Sequence, residues 1–144
     1  MKKYLATMMV SGLFILGACG QDLKTANVPA NIKSACLQKF PETAKSKVSW
    51  EKEKGNFEAN WGGKSGEDNS AIFTPAGNFI EIVKAISVSQ LPASVLAYVK
   101  AHENGAKIKE AGLVTDAKGT VTYEAEIKGK ELVFDKEGKF LKAE

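Results

Sequence analysis

The chain has 144 residues and a formal net charge of +3, from 20 basic and 17 acidic side chains and a single histidine. Every basic residue is Lys, which excludes sites built on bidentate guanidinium contacts to phosphate or carboxylate. One histidine cannot assemble a His-rich metal centre, and setting Lys2 and Lys3 aside lowers the charge from +3 to +1, leaving no electrostatic case for nucleic acid.

Lys2 and Lys3 precede a mostly apolar run from Tyr4 to Ile15. That pattern predicts a secretory signal peptide over residues 1–18, too short for a resident membrane span. Leu16-Gly17-Ala18-Cys19 resembles the bacterial lipobox, which would make Cys19 the lipid-bearing first residue of the mature chain. The remaining 126 residues (144 less 18) suffice for one domain with its own core. Cys36 is then the only other thiol, so no disulfide can form within the chain.

Residues 19–27 are polar and aperiodic and read as a tether. Val28-Pro29 opens a helix in which Ile32, Ala35, Cys36 and Phe40 share one face, and Pro41 ends it. Cys36 therefore reads as core rather than as a reactive thiol. From Lys47 the period becomes two: Val48 and Trp50 alternate with polar residues, and Phe57, Ala59 and Trp61 follow on one side of a second strand. Gly62 to Ser70 is a polar loop. Ala71 to Phe73 form a short strand, and the return from Phe79 to about Val88 is apolar on both faces, as in a central strand.

The chain then starts again. Leu91-Pro92-Ala93 answers Val28-Pro29-Ala30 at an offset of 63, with Val95, Tyr98 and Val99 at the helical positions. Ile108 to Thr115 is a strand, and Tyr123-Glu124-Ala125-Glu126-Ile127 answers Phe57-Glu58-Ala59-Asn60-Trp61 at an offset of 66. Phe134-Asp135-Lys136-Glu137-Gly138-Lys139-Phe140 answers Phe73-Thr74-Pro75-Ala76-Gly77-Asn78-Phe79 at an offset of 61. Both hairpins fit a type I turn closed by a left-handed Gly in a G1 bulge.

Residues 28–144 thus form one α+β domain of two repeats, 28–90 and 91–144. Each repeat is a helix followed by four antiparallel strands, giving about eight strands with two helices on one face and a core shared between the halves. Glu58, Asn60, Glu124 and Glu126 are expected on the opposite face, as an exposed polar surface with no apolar pocket to perturb them.

The Val/Leu-Pro-Ala helix start, the Tyr-Glu-Ala-Glu-Ile strand and the Phe-Asp-x-x-Gly hairpin, in this order and repeated over residues 28–142, resemble the PepSY-like, β-lactamase-inhibitor-like family of secreted bacterial proteins. The resemblance implies a tandem α-β-β-β-β fold and a periplasmic or surface setting, often in Bacteroidetes-type bacteria. The first repeat departs from the pattern at Thr74-Pro75-Ala76 and by the Gly62–Ser70 insertion.

No catalytic set emerges. His102 sits near the end of the second helix, where a solvated or capping role is ordinary. Glu67 and Asp68 are too few and wrongly spaced for a calcium loop, and no glycine-rich segment joins a strand to a helix as a phosphate loop does. Trp50 and Trp61 read as core, Trp61 the more so. The expectation is a non-enzymatic protein-binding module of the cell envelope, inhibitor-like in its sharper form, without cofactor or metal. It is anchored through Cys19, preferably to the outer membrane, and binds its partner through Glu58, Asn60, Glu124 and Glu126. The alternative is a small-ligand carrier with a cavity between helices and sheet, lined by Trp50, Trp61 and Ile86.

Overall fold

A computed structural model describes residues 21–144; the signal-peptide and Cys19 expectations lie outside the described residues. Nine strands follow one another in chain order: β1 (Gln21–Leu23), β2 (Ser49–Glu53), β3 (Asn56–Trp61), β4 (Asn69–Phe73), β5 (Phe79–Ile86), β6 (Glu110–Asp116), β7 (Val121–Ile127), β8 (Lys130–Asp135) and β9 (Phe140–Ala143). They form a single antiparallel sheet in the order β1 to β9. Two helices interrupt it: α1 (Ala30–Lys39) after β1, and α2 (Ala93–His102) after β5. Pro29 and Pro92 stand immediately before them with φ of −56° and −53°, the conformation that the ring imposes.

The tether reading fails for residues 21–27. Gln21–Leu23 pairs with β2, and Thr25–Asn27 forms a 3-10 turn leading into α1. At the offset of 63 these segments match the tail of β5 and the 3-10 turn Val88–Gln90 before α2. The repeat therefore begins before Val28, and Leu23 packs on the first core as Ile86 packs on the second. A polar three-residue strand carries no hydrophobic alternation, so only the repeat could have announced it.

Both repeated hairpins are as expected. Gly77 and Gly138 have φ of +87° and +81°, and the register shifts at Ile72/Phe73 and Val133/Phe134, the signature of a G1 bulge. The bulge sets the faces of β5: Phe79 and Ile82 both join the helix-side core while Val83 lies opposite.

The halves do not share one core. One cluster gathers Ile32 and Cys36 of α1 with Trp50, Phe57, Ala59, Trp61, Ala71 and Phe73. The other gathers Val95 and Val99 of α2 with Ala111, Ala125, Ile127, Leu132 and Phe134. Each helix covers its own four strands, and continuity between repeats comes from the pairing of β5 with β6. Trp50 and Trp61 are both buried in the first cluster, so they pack the core rather than line a ligand cavity. Cys36 is buried, and burial raises its thiol pKa to about 11.

Candidate functional site

The face away from the helices differs most from expectation. Strand alternation and register place Glu58 and Asn60 of β3, Ser70 and Ile72 of β4, Glu81 and Val83 of β5, Gly112 and Val114 of β6, Glu124 and Glu126 of β7, and Glu131 and Val133 of β8 together on it. Glu58, Asn60, Glu124 and Glu126 do share a face, as the sequence predicts, but they are buried rather than exposed: Glu124 is 0% accessible and Glu126 7%.

Curvature of the sheet explains the burial. Glu81 on β5 and Leu141 and Lys142 on β9 line one cavity of about 60 Å³, together with Val114, Asp116, Thr120, Thr122 and Val133. On a flat sheet β5 and β9 would stand about 19 Å apart, four spacings of ~4.8 Å. For their side chains to meet across one small cavity, the second repeat must curl into a trough. Alternation shows which side a residue faces; it does not show how far that side rolls up.

Inside the trough, carboxylates meet carboxylates. Glu126 and Glu131 are directly opposite across β7 and β8, with Glu110 of β6, itself exposed, opposite Glu126, and Glu131 and Glu144 exchange backbone hydrogen bonds at the end of β9. Like charges so placed repel. Lys109 approaches Glu126 at 3.9 Å, and Lys142 pairs with Glu144. Gly112 faces Glu124; a methyl group there would stand 3.5 Å from Glu124 Oε2 and 3.0 Å from Val83 Cγ1. The absent side chain makes room for the carboxylate.

Burial accordingly shifts the acids upward. Glu81 rises to about 7, through desolvation and then the neighbouring Asp116 charge. Glu131 also rises to about 7, through desolvation and then Glu144. Glu124 lies well above the usual carboxylate range, through desolvation and then Glu131. The sequence reading placed Glu124 on a solvated surface with no pocket, and the fold overturns that. Glu81 and Glu131, now central to the site, were missed, because nothing local separates them from ordinary strand-surface glutamates.

The remaining candidates fall out. His102 is exposed at the end of α2, with its ring 4.4 Å from that of Tyr98. Cys36 and His102 belong to different repeats and different environments. Among the described residues, no group of three or more His, Cys, Asp and Glu is placed to hold a metal ion. A separate shallow groove of about 680 Å³ runs beside α2, lined by Val88, Leu96, Val99 and Ile108 with Lys100, Lys107 and Lys109 around it.

Comparison with known proteins bears on fold and family. The protein family described as "Putative beta-lactamase-inhibitor-like, PepSY-like" matches residues 61–142, from the end of β3 into β9. Among solved structures, the chain is similar to one described as a putative periplasmic protein from Bacteroides eggerthii, at 15% identity over 81% of this chain and 88% of that chain, with a TM-score of 0.67. It is similar to a DUF2874 family protein from Bacteroides ovatus, at 19% identity over 81% and 86%, with a TM-score of 0.62. A BLIP-like protein from Bacteroides fragilis matches at 18% identity over 83% and 89%, also with a TM-score of 0.62. At these identities the likeness is one of fold. No curated protein matches this chain.

Proposed function

The chain belongs to the PepSY-like, beta-lactamase-inhibitor-like family, and from that premise we propose that it is a non-enzymatic binding module of the bacterial cell envelope. In this reading it is tethered by a lipid on Cys19, preferably to the outer membrane, and receives another protein on the trough side of its sheet. The observation that carries the reading is chemical: Glu81 and Glu124 are buried in the trough with carboxylate oxygens that have no hydrogen-bond partner. A fold that only needed stability would satisfy those atoms or replace them by apolar ones. Sites that keep unsatisfied polar groups are typically functional ones.

The same arrangement disfavours catalysis. Raised carboxylates alone supply a general acid, and among the described residues no histidine or cysteine lines their cavity beside them. The neighbours described as periplasmic support the compartment, and an inhibitor role rests on the family description alone. The carrier reading has one observation in its favour, the apolar groove beside α2 with its lysine rim. That groove is shallow and lies outside the helix-to-sheet core, where the carrier reading needs a cavity.

A soluble chain beginning at Gln21 is expected to show no hydrolytic or thiol-dependent turnover against broad substrate panels. Mass spectrometry of the native protein is expected to find an acylated Cys19 at its N-terminus. Turnover that survives repurification and disappears in E81Q would overturn the non-enzymatic reading, and an unmodified residue 19 would overturn the anchor.

A further inference from the structure

We propose that the trough of the second repeat is a receptor for the ammonium group of a lysine side chain carried by the partner protein. This rests on the binding-module reading and specifies its chemistry.

The two repeats provide an internal comparison. Glu58 and Glu124 are equivalent at the offset of 66, and Ser70 and Glu131 at the offset of 61; the register agrees, pairing Asn60 with Ser70 and Glu126 with Glu131. In the first repeat, Ser70 Oγ donates a hydrogen bond to Glu58. In the second, Glu131 stands where that donor stood. Glu124 is left with both carboxylate oxygens buried and unpartnered, and Glu131 Oε1 is unpartnered as well. The same substitution pattern extends across the strands. Asn60 and Ser70 become Glu126 and Glu131, and Val83 becomes Glu144. The second repeat has lost a donor and gained charge at the same place.

Glu81 is a second, separate pointer. It is 1% exposed, its Oε1 has no partner, and it lines the small cavity with Asp116 and Lys142. Asp116 Oδ1 already accepts from the amides of Lys118 and Thr120. Among the described residues, the cations beside these acids include Lys142, which pairs with Glu144, Lys109, 3.9 Å from Glu126, and Lys118, whose charge acts on Asp116. Against them stand Glu81, Asp116, Glu124, Glu126, Glu131 and Glu144, carboxyl groups whose ionised form an incoming positive charge would favour.

The form of the cation follows from the walls. The cavity holds about 60 Å³ and has apolar surface from Val114, Val133 and Leu141 beside the carboxylates of Glu81 and Asp116. An alkyl stem packs on such surface while its ammonium presents three donors to separated oxygens. A planar guanidinium wants two coplanar acceptors on one carboxylate, and Glu81, the glutamate that lines the cavity, has one unpartnered oxygen. A calcium ion wants six to eight converging oxygens, and the described residues offer no such set. Leu141, half exposed at the rim, marks the entrance.

The test uses two short peptides that differ only in one central residue, lysine or norleucine, titrated by calorimetry against the chain from Gln21. The lysine peptide is expected to bind at least about tenfold tighter, the worth of one charge-assisted hydrogen bond. E124Q and E81Q are expected each to remove that preference, while E42Q, in the exposed 3-10 turn that follows α1, leaves it intact. E131S restores the first-repeat arrangement around Glu124 and is expected to raise the thermal midpoint while lowering lysine-peptide affinity. Equal affinity for the two peptides would overturn the proposal, as would calcium competing at stoichiometric concentration or an E131S variant unchanged in both measurements. If that happens while a partner still crosslinks at Leu141, this proposal fails and the binding-module reading stands.

Discussion

The trough makes an unusual prediction for stability against pH. Glu81 titrates near 4.5 in an unfolded chain and at about 7 in the fold. A raised carboxylate pKa means that the folded state holds its proton more tightly than the unfolded state does. The contribution is therefore fully present below pH 4.5 and is lost as pH rises to about 7. At ~1.4 kcal/mol per pKa unit, that difference amounts to ~3 kcal/mol for Glu81. Glu131, also at about 7, and Glu124 act in the same direction. Asp116, where burial works upward but the amides of Thr120 and Lys118 hold the pKa below its usual 3.8, acts oppositely and only at lower pH. Urea unfolding between pH 4.5 and 8 measures the sum. With a slope of ~1.5 kcal/mol per molar for a domain of this size, the midpoint should fall by about 2 M or more as pH rises. E81Q should be the more stable protein at pH 8 and should flatten the profile. A midpoint that stays level or rises from pH 4.5 to 8 would refute the burial of these acids.

The hairpin glycines and the buried thiol give further tests. Gly138→Val should destabilise by ~1–3 kcal/mol in urea, since a β-branched residue fits poorly at φ of +81°. Gly138→Ala should cost more than Gly77→Ala, because a methyl at 138 meets Ser94 and stands 3.0 Å from Pro92 Cβ, whereas at 77 its nearest neighbour is 3.4 Å away; equal midpoints would remove that contact. Cys36, buried with its thiol at about 11, should react with a neutral-pH thiol reagent only as fast as the chain opens, and fast native labelling would contradict its place under α1.

How much of this was readable in the residues depends on whether the signal was local. The turn glycines 77 and 138 and the stripe of Ile32 and Cys36 are set by backbone conformation and helical period, and they stand where the sequence puts them. The pairing of Glu58 with Asn60 and of Glu124 with Glu126 on one face follows from alternation and is also present. Exposure was not readable. Whether Glu124 meets water depends on the roll of five strands, a property of the whole sheet and of Gly112 on the strand beside Val83. Strand β1 escaped for another reason. Gln21-Asp22 has no apolar alternation, and its partner Lys52-Glu51 is equally polar. The separation into two cores follows from each helix lying over its own strands, which repeat length alone does not decide.

In the proposed function a partner sits on the trough side of the sheet. A photo-reactive phenylalanine placed at Leu141, at the trough rim, or at Leu37, exposed on α1, tests this in the intact, anchored protein. Irradiation of living cells followed by mass spectrometry of the adducts should give a discrete crosslinked envelope protein from position 141 and none from position 37. Adducts at 37 with none at 141 would contradict the account.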